Sequence, residues 1–362
     1  MFEFLFGLVY YLTILVITTP LLLWLWKEFT MGICQCKSSM QGKVVLITGG
    51  NNGIGFETAV DLAKRGAKLI IGCRNIQNAV DKMHRRVPDA QIEVIKLDLS
   101  SKSSIHHFAE EVISNYEAID VLINNAGMVN NVDGPMQRKE TEDGFELVMA
   151  TNYLGHALLN HLLLDLVKRA GKDGEDGYSR IILVSSIAVM SPEALDLCTP
   201  RGDNSYDVNF NVDKALKDAR RQYSKTKLAQ VMYANHFAKM LREENCNTII
   251  ASLHPGFVRT EIMSGFPKEA QGFVKVLSYL VGKNVWQGAQ TSIHLAVNKF
   301  SNPMLDVNGK FFADCKIGFN FWFQFRLPKI MEDPMACKAV WDETMNTLGI
   351  RFTNYNLRFK NI

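Results

Sequence analysis

An α/β fold with a doubly wound, largely parallel sheet is the architecture this sequence predicts. Three observations carry it. From residue 43 onward, short β-branched runs alternate with longer amphipathic segments, as in strands joined by crossover helices. A glycine-rich turn, TGGNNGIG (48–55), joins the first such run to the first amphipathic segment. The composition, 47 % hydrophobic and 21 % charged over 362 residues, is that of a globular chain and argues against disorder.

The elements follow in order. Residues 4–26 hold no charged side chain. At about 1.5 Å per residue that helix would span roughly 34 Å, against a hydrocarbon core of about 30 Å. Trp24 and Trp26 close the run where an aromatic belt belongs, and Lys27, Lys37 and Lys43 follow it, which puts the rest of the chain on the cytosolic side. Glu3 at the front and the lack of a small-x-small site after the run oppose a cleaved leader.

Strands are expected at KVVLITGG (43–50), KLIIGC (68–73), IEVIKLD (92–98), DVLINN (120–125), RIILVSS (180–186), NTIIASLH (247–254) and KFFAD (310–314). Helices are expected at 55–66, 75–87, 101–117, 140–170, 217–244, 284–299 and 334–348. Residues 1–30 are thus expected as a membrane anchor, and 43–350 as one domain with no second.

Charge and cysteines exclude other classes. The net charge is +3 and no arginine-rich stripe appears, so nucleic acid is not an expected partner. Seven scattered cysteines, with Cys34 and Cys36 forming only C-x-C, make neither a disulfide framework nor a zinc pattern; both lie just past the apolar run, as acylation sites or as chance cysteines. His156, His161 and His254 have no metal-ligand spacing and read as structural. No metal is expected.

The glycine turn predicts a dinucleotide site. Gly49, Asn52, Gly53, Ile54 and Gly55 would form a cradle whose backbone N–H groups and helix dipole hold a pyrophosphate. Residue 74, just past the second strand, is arginine rather than an acid. A guanidinium there favours a ribose 2′-phosphate, so the expected cofactor is NADP(H). Asp98 and Leu99 end the third strand on the binding side.

Further motifs follow in order: NNAG (124–127), Asn152 in TNYLG, Ser186 in VSS, YSKTK (223–227) and HPGFVRT (254–260). Together with the glycine turn they resemble the short-chain dehydrogenase/reductase family over roughly residues 43–315. The resemblance implies a Rossmann fold with catalytic Asn152, Ser186, Tyr223 and Lys227. It also implies that Asp98 lies by the adenine, that Asn125, Ala126 and Gly127 lie near the cofactor ribose, and that Pro255, Gly256, Val258 and Thr260 lie near the nicotinamide end. Tyr223 and Lys227 would touch the cofactor as well.

The residue chemistry agrees. An alkoxide left by hydride transfer needs a proton. A tyrosine with an ordinary pKa near 10 donates well but is a poor base at neutral pH. A lysine at i+4 shares its helix face and is expected to lower that pKa. The Ser186 hydroxyl would hold the substrate oxygen, with Ser185 as its rival, and Asn152 would keep Lys227 connected to water. Lys225 reads as a surface charge. A catalytically silent NADPH-binding membrane protein should have lost Tyr223 or Lys227, and all four positions are filled.

Ser186 and Tyr223 lie 37 positions apart, more than is usual in the family. The insert 190–222 must border the site, because both its ends do, and is expected to enclose substrate. With the anchor, Arg74 and GKFFADC (309–315), it resembles the microsomal retinol dehydrogenase branch. The resemblance implies a lipophilic small-molecule substrate (a retinoid or similar), with a steroid or other lipid ketone as alternative. It also implies contact with membrane lipid, an endoplasmic-reticulum location with the catalytic domain facing the cytosol, and leaves room for a homodimer. GFNFWFQFRL (318–327), aromatic at nearly alternate positions, would dock on membrane, line the pocket or form core.

Overall fold

The structure, a computed structural model, describes residues 2–129, 140–174, 176–200, 205–210, 219–259, 272, 278–279, 282–318, 328–353 and 356–359. The calls at Thr260 and at 319–327 lie outside these residues, as do parts of the insert. The chain opens with α1 (Phe2–Thr30), a 29-residue helix containing Pro20. Among the described residues no helix is long and apolar enough to cross a membrane.

The domain then winds through β1 (Val44–Thr48), α2 (Gly53–Lys64), β2 (Lys68–Cys73), α3 (Ile76–Arg86), β3 (Ile92–Lys96), α4 (Lys102–Asn115) and β4 (Val121–Asn124). Next come α5 (Leu147–Met149), a π-helical turn (Ala150–Leu154), α6 (Gly155–Leu162), α7 (Leu164–Asp173) and β5 (Ser179–Val184). Between β5 and α8 come two 3-10 turns (Ile187–Met190 and Pro192–Leu197) and the hairpin β6 (Cys198–Pro200) and β7 (Tyr206–Val208). Then follow α8 (Ala219–Glu243), β8 (Thr248–His254), α9 (Val285–Val297), α10 (Pro303–Asp306), β9 (Phe311–Ala313), β10 (Lys316–Ile317) and α11 (Pro334–Leu348), with a last hairpin of β11 (Ile350–Thr353) and β12 (Asn356–Phe359).

All seven expected strands form one sheet in the order β3-β2-β1-β4-β5-β8-β9, with β10 added at the edge. The seven pair in parallel and β10 is antiparallel. Apolar residues pack on both faces. One cluster joins Leu46, Ile70 and Leu122 to α4, α6 and α8; the other joins Val45, Ile47 and Ile123 to α2 and α9. This is the Rossmann arrangement, whose ligands sit at the strand C-termini beside the reversal of strand order. Here the reversal lies between β1 and β4.

Two expectations need correction. The helix expected at 140–170 begins at 147. Glu146, buried, accepts from Val148 N at 3.1 Å and Met149 N at 2.8 Å, a cap that starts the helix there. The helix is then broken by the π turn and again at Leu163. Lys225, expected on the surface, is only 2 % exposed. The sheet, residues 192–197 and α11 enclose α8, which leaves no solvated face at that position.

Candidate active site

The cradle begins where β1 ends. Gly49 (φ +67°) and Gly53 (φ +57°) turn the chain through the left-handed region, where a side chain is strained. At Gly55 a Cβ would lie 2.3 Å from Asn125 Nδ2 and 2.5 Å from Gly49 O. That approach lets Asn125 Nδ2 donate to Thr48 O at 3.0 Å and Gly49 O at 3.3 Å, clamping the turn. Asn52 makes no side-chain cap on α2, so first-turn N–H groups are left for an anion. Ile54 lines the far side, near Gly288 and Val258.

Arg74 is exposed at the end of β2. Asp98 uses one carboxylate oxygen to accept from Ser100 N at 2.9 Å and Ser100 Oγ at 2.6 Å. Leu99 is buried, with its carbonyl against Gly155. These residues and the cradle share the C-terminal edge of the sheet.

A buried chain of hydrogen bonds links the cradle to the helices. Thr48 Oγ1 accepts from Asn125 N and Ala126 N, both at 3.0 Å. With both lone pairs used, its own proton is left for His156 Nε2, 2.8 Å away. The imidazole therefore carries its proton on Nδ1, which donates to Asn152 O at 3.0 Å. Burial lowers the His156 pKa to about 4, in keeping with a neutral ring.

Gln230 Nε2 donates to the same carbonyl at 2.9 Å, and Gln230 Oε1 accepts from Lys227 Nζ at 3.2 Å. Asn152 sits in the π turn, a distortion often found at functional sites. Its side chain accepts from Met128 N at 2.8 Å and donates to Met128 O at 2.9 Å. Gln230 thus links Lys227 Nζ to the Asn152 carbonyl.

Lys227 also donates to Val184 O at 2.9 Å. A Cβ at Gly127 would stand 3.5 Å from both Lys227 Nζ and Asn152 Oδ1, so the bare backbone of 127 faces this pair. Tyr223 and Ser186 share a hydrogen bond that favours the phenolate, and Ser186 Oγ accepts from Ala188 N at 3.2 Å. Ser185 is buried and spends its hydroxyl on Lys227 O at 2.8 Å.

The expected lowering of the Tyr223 pKa is not what the structure gives. Burial raises it, against the opposing Ser186 bond. Burial also lowers Lys227 to about 7. The ammonium lies 5.5 Å from the centre of the Tyr223 ring and donates to Val184 O and Gln230 Oε1.

At the other wall, Pro255 is buried and Gly256 takes φ +93°. Gly256 N donates to His254 Nδ1 at 2.8 Å. Val258 is buried and bridges to Lys283. Described parts of the insert are built into the core through Ala194, Leu197, Cys198 and Phe210, and Tyr206 donates to Asp333 Oδ2 at 3.1 Å.

The predicted residues thus gather from eight segments along one sheet edge. Sequence reasoning missed Thr48, His156 and Gln230. Gln230 was the most accessible of these: it lies three residues beyond Lys227 on the same helix face.

A glycine cradle beside a buried lysine and a tyrosine–serine pair defines a dinucleotide-dependent oxidoreductase. Comparison with known proteins agrees. A family model for short chain dehydrogenases matches residues 43–196. Retinol dehydrogenase 12 of Bos taurus is 34 % identical over 335 residues, covering 90 % of this chain and 92 % of its own. Retinol dehydrogenase 14 of Homo sapiens is 33 % identical over 330 residues, covering 86 % and 88 %. Among solved structures, the Pseudomonas aeruginosa RhlG/NADP active-site complex superposes with a TM-score of 0.56 at 21 % identity, covering 75 % of this chain and 94 % of that one; at that identity the likeness is one of fold. The chain belongs to the short-chain dehydrogenase/reductase family and is of the retinol dehydrogenase type. It is an oxidoreductase that uses a nicotinamide cofactor.

Proposed function

We propose that this chain interconverts a lipophilic alcohol and its aldehyde or ketone with NADP(H), most naturally a retinol/retinal pair. The hydrogen bond between Tyr223 and Ser186, beside a buried Lys227 that faces the bare Gly127, carries the reading. The names of the relatives, retinol dehydrogenases 11 to 14, supply the substrate class.

In this reading Gly49, Asn52, Gly53, Ile54 and Gly55 hold the pyrophosphate. Arg74 takes the 2′-phosphate, and Asp98 and Leu99 border the adenine. Asn125, Ala126, Gly127, Tyr223 and Lys227 meet the ribose side, and Pro255, Gly256, Val258 and Thr260 meet the nicotinamide end. The bound cofactor supplies or accepts the hydride. Ser186 donates to the substrate oxygen, and Tyr223 gives its phenolic proton to that oxygen as the carbonyl is reduced, taking it back in the reverse direction. A protonated Lys227 stabilises the phenolate left behind. Burial keeps Tyr223 in its phenol form near neutral pH, the form from which the reductive direction starts.

Residues 1–30 act as a single membrane anchor, argued from the uncharged run 4–26 and the lysines after it. They hold a domain of residues 43–350 on the cytosolic face, in this reading at the endoplasmic reticulum. The insert 190–222 walls the substrate side.

Membranes carrying the chain, given NADPH or NADH with retinal, a 3-ketosteroid or farnesal, test this. Retinal turnover with a clear NADPH preference, lost in Tyr223→Phe, supports the reading. Turnover of the steroid alone moves the substrate class. Turnover that survives Tyr223→Phe overturns the mechanism.

A further inference from the structure

Away from the active site, the segment that leaves α1 meets α9 in a cluster of thiols and imidazole. Cys34 Sγ, Cys36 Sγ and a ring nitrogen of His294 all lie within 4.8 Å of one another. Cys36 Sγ is 3.7 Å from His294 Nδ1 and 3.2 Å from Asn298 Oδ1. In a tetrahedral zinc site, with Zn–S about 2.3 Å and Zn–N about 2.05 Å, neighbouring S and N ligands stand about 3.6 Å apart. The observed spacing already matches one edge of such a tetrahedron.

We propose that Cys34, Cys36 and His294 form a zinc site, with an oxygen, from Asn298 or water, in the fourth position. Binding exchanges two S–H bonds for two Zn–S bonds and releases two protons; nothing is oxidised. Two thiolates and a neutral imidazole leave the zinc centre with no net charge. That suits its surroundings, where Arg65 donates to Cys36 O at 2.7 Å. All three ligands are half-buried, open enough for entry and covered enough to hold. The C-x-C spacing alone does not show this site, because its third ligand comes from 258 residues further along the chain.

The same neighbourhood is otherwise built for docking. Cys34 N donates to Gln290 Oε1 at 3.2 Å. Gly32 N donates to Asp314 Oδ1 at 3.2 Å, and a Cβ at Gly32 would collide with the Asp314 backbone at 2.0 Å. Cys315, the next residue, sends its thiol to Gln290 O at 3.5 Å. Zinc would therefore fasten the exit of α1 to α9, which packs on α2 of the cofactor cradle. The site would set how the N-terminal helix is held against the domain.

The test uses the full chain, purified reduced in detergent and titrated with Co²⁺, then Zn²⁺. One equivalent of Co²⁺ should give a thiolate-to-cobalt charge-transfer band, release two protons and be displaced by Zn²⁺. Cys36→Ser and His294→Ala should each weaken binding by at least about 100-fold, since even an outer partner of a metal site can cost that much. Cys246→Ser, remote from the cluster, should leave binding unchanged. Zinc should raise the melting temperature of the wild type and of Cys246→Ser but not of His294→Ala, whose own cooperative melt shows that it folds. The proposal is overturned if no stoichiometric band appears, if His294→Ala binds as well as wild type, or if differential alkylation of freshly isolated protein finds Cys34 and Cys36 joined as a disulfide. None of these readouts depends on turnover.

Discussion

Lys227→Met should make the protein more stable in acid while abolishing turnover. Lys227 is 3 % exposed and its pKa falls from 10.5 to about 7 by burial. At 1.36 kcal/mol per pH unit, carrying that ammonium into the fold costs roughly 5 kcal/mol well below pH 7. The sign follows from linkage. A folded pKa below the unfolded one gives stability that is present above pH 10.5 and lost as pH falls through 7. Methionine removes that dependence. It also removes two hydrogen bonds, to Val184 O and Gln230 Oε1, each worth about 1 kcal/mol. The balance is a gain of about 3 kcal/mol at pH 6. Near pH 9, where the lysine costs only about 2 kcal/mol, the gain is about zero. Urea unfolding of wild type and variant at pH 6 and pH 9 measures this. A variant less stable than wild type at pH 6, or a difference that does not change with pH, refutes the reasoning.

Other substitutions probe the remaining parts. Tyr223→Phe should cut turnover by about 10²–10⁴-fold, the usual worth of a positioned acid, while urea unfolding shifts by about 1 kcal/mol for the lost Ser186 bond; steady-state assay and denaturation read the two separately. Arg74→Glu should reverse the cofactor preference, raising the KM for NADPH at least about tenfold by repelling the 2′-phosphate and sparing NADH. Gly55→Ala should abolish cofactor binding, measured by fluorescence titration, because its Cβ displaces Asn125 and the turn it clamps. In the reductive direction, kcat/KM should decline as pH rises through about 7, where Lys227 loses its proton. Lys227→Arg should remove that decline in whatever activity it retains.

The sheet was legible because its strands are short, β-branched and buried on both faces, and the glycine turn marked where ligands belong. Helix α11 was legible at both ends: Pro334 follows the capping Asp333, and Gly349 takes φ +70° after the last turn. The helix expected at 140–170 was not, because its start depends on a buried glutamate capping its own N-terminus and its π turn on tertiary bonds to one carbonyl. Neither leaves a periodic trace. The two hairpins, β6–β7 and β11–β12, were not expected from the sequence.

Spacing also misjudged charge. Residues 223 and 227 do share a face, as i and i+4 must, but sharing a face does not say where an ammonium points or how much water it keeps. Here α8 is enclosed, so both groups shift toward their neutral forms, and the phenol is made harder to ionise. The catalytic state must then come from whatever brings charge back to Lys227. Its side-chain hydrogen bond goes to Gln230, whose amide is fixed by Asn152 O, which His156 also holds from the β1 side. A cofactor held at Gly49 and Asn125, as proposed, would meet the same chain at Thr48, one bond from His156. Cradle and Lys227 are therefore linked by hydrogen bonds through a histidine that never needs to titrate. Its neutral Nδ1–H form, fixed by the saturated Thr48 hydroxyl, is what that joint requires.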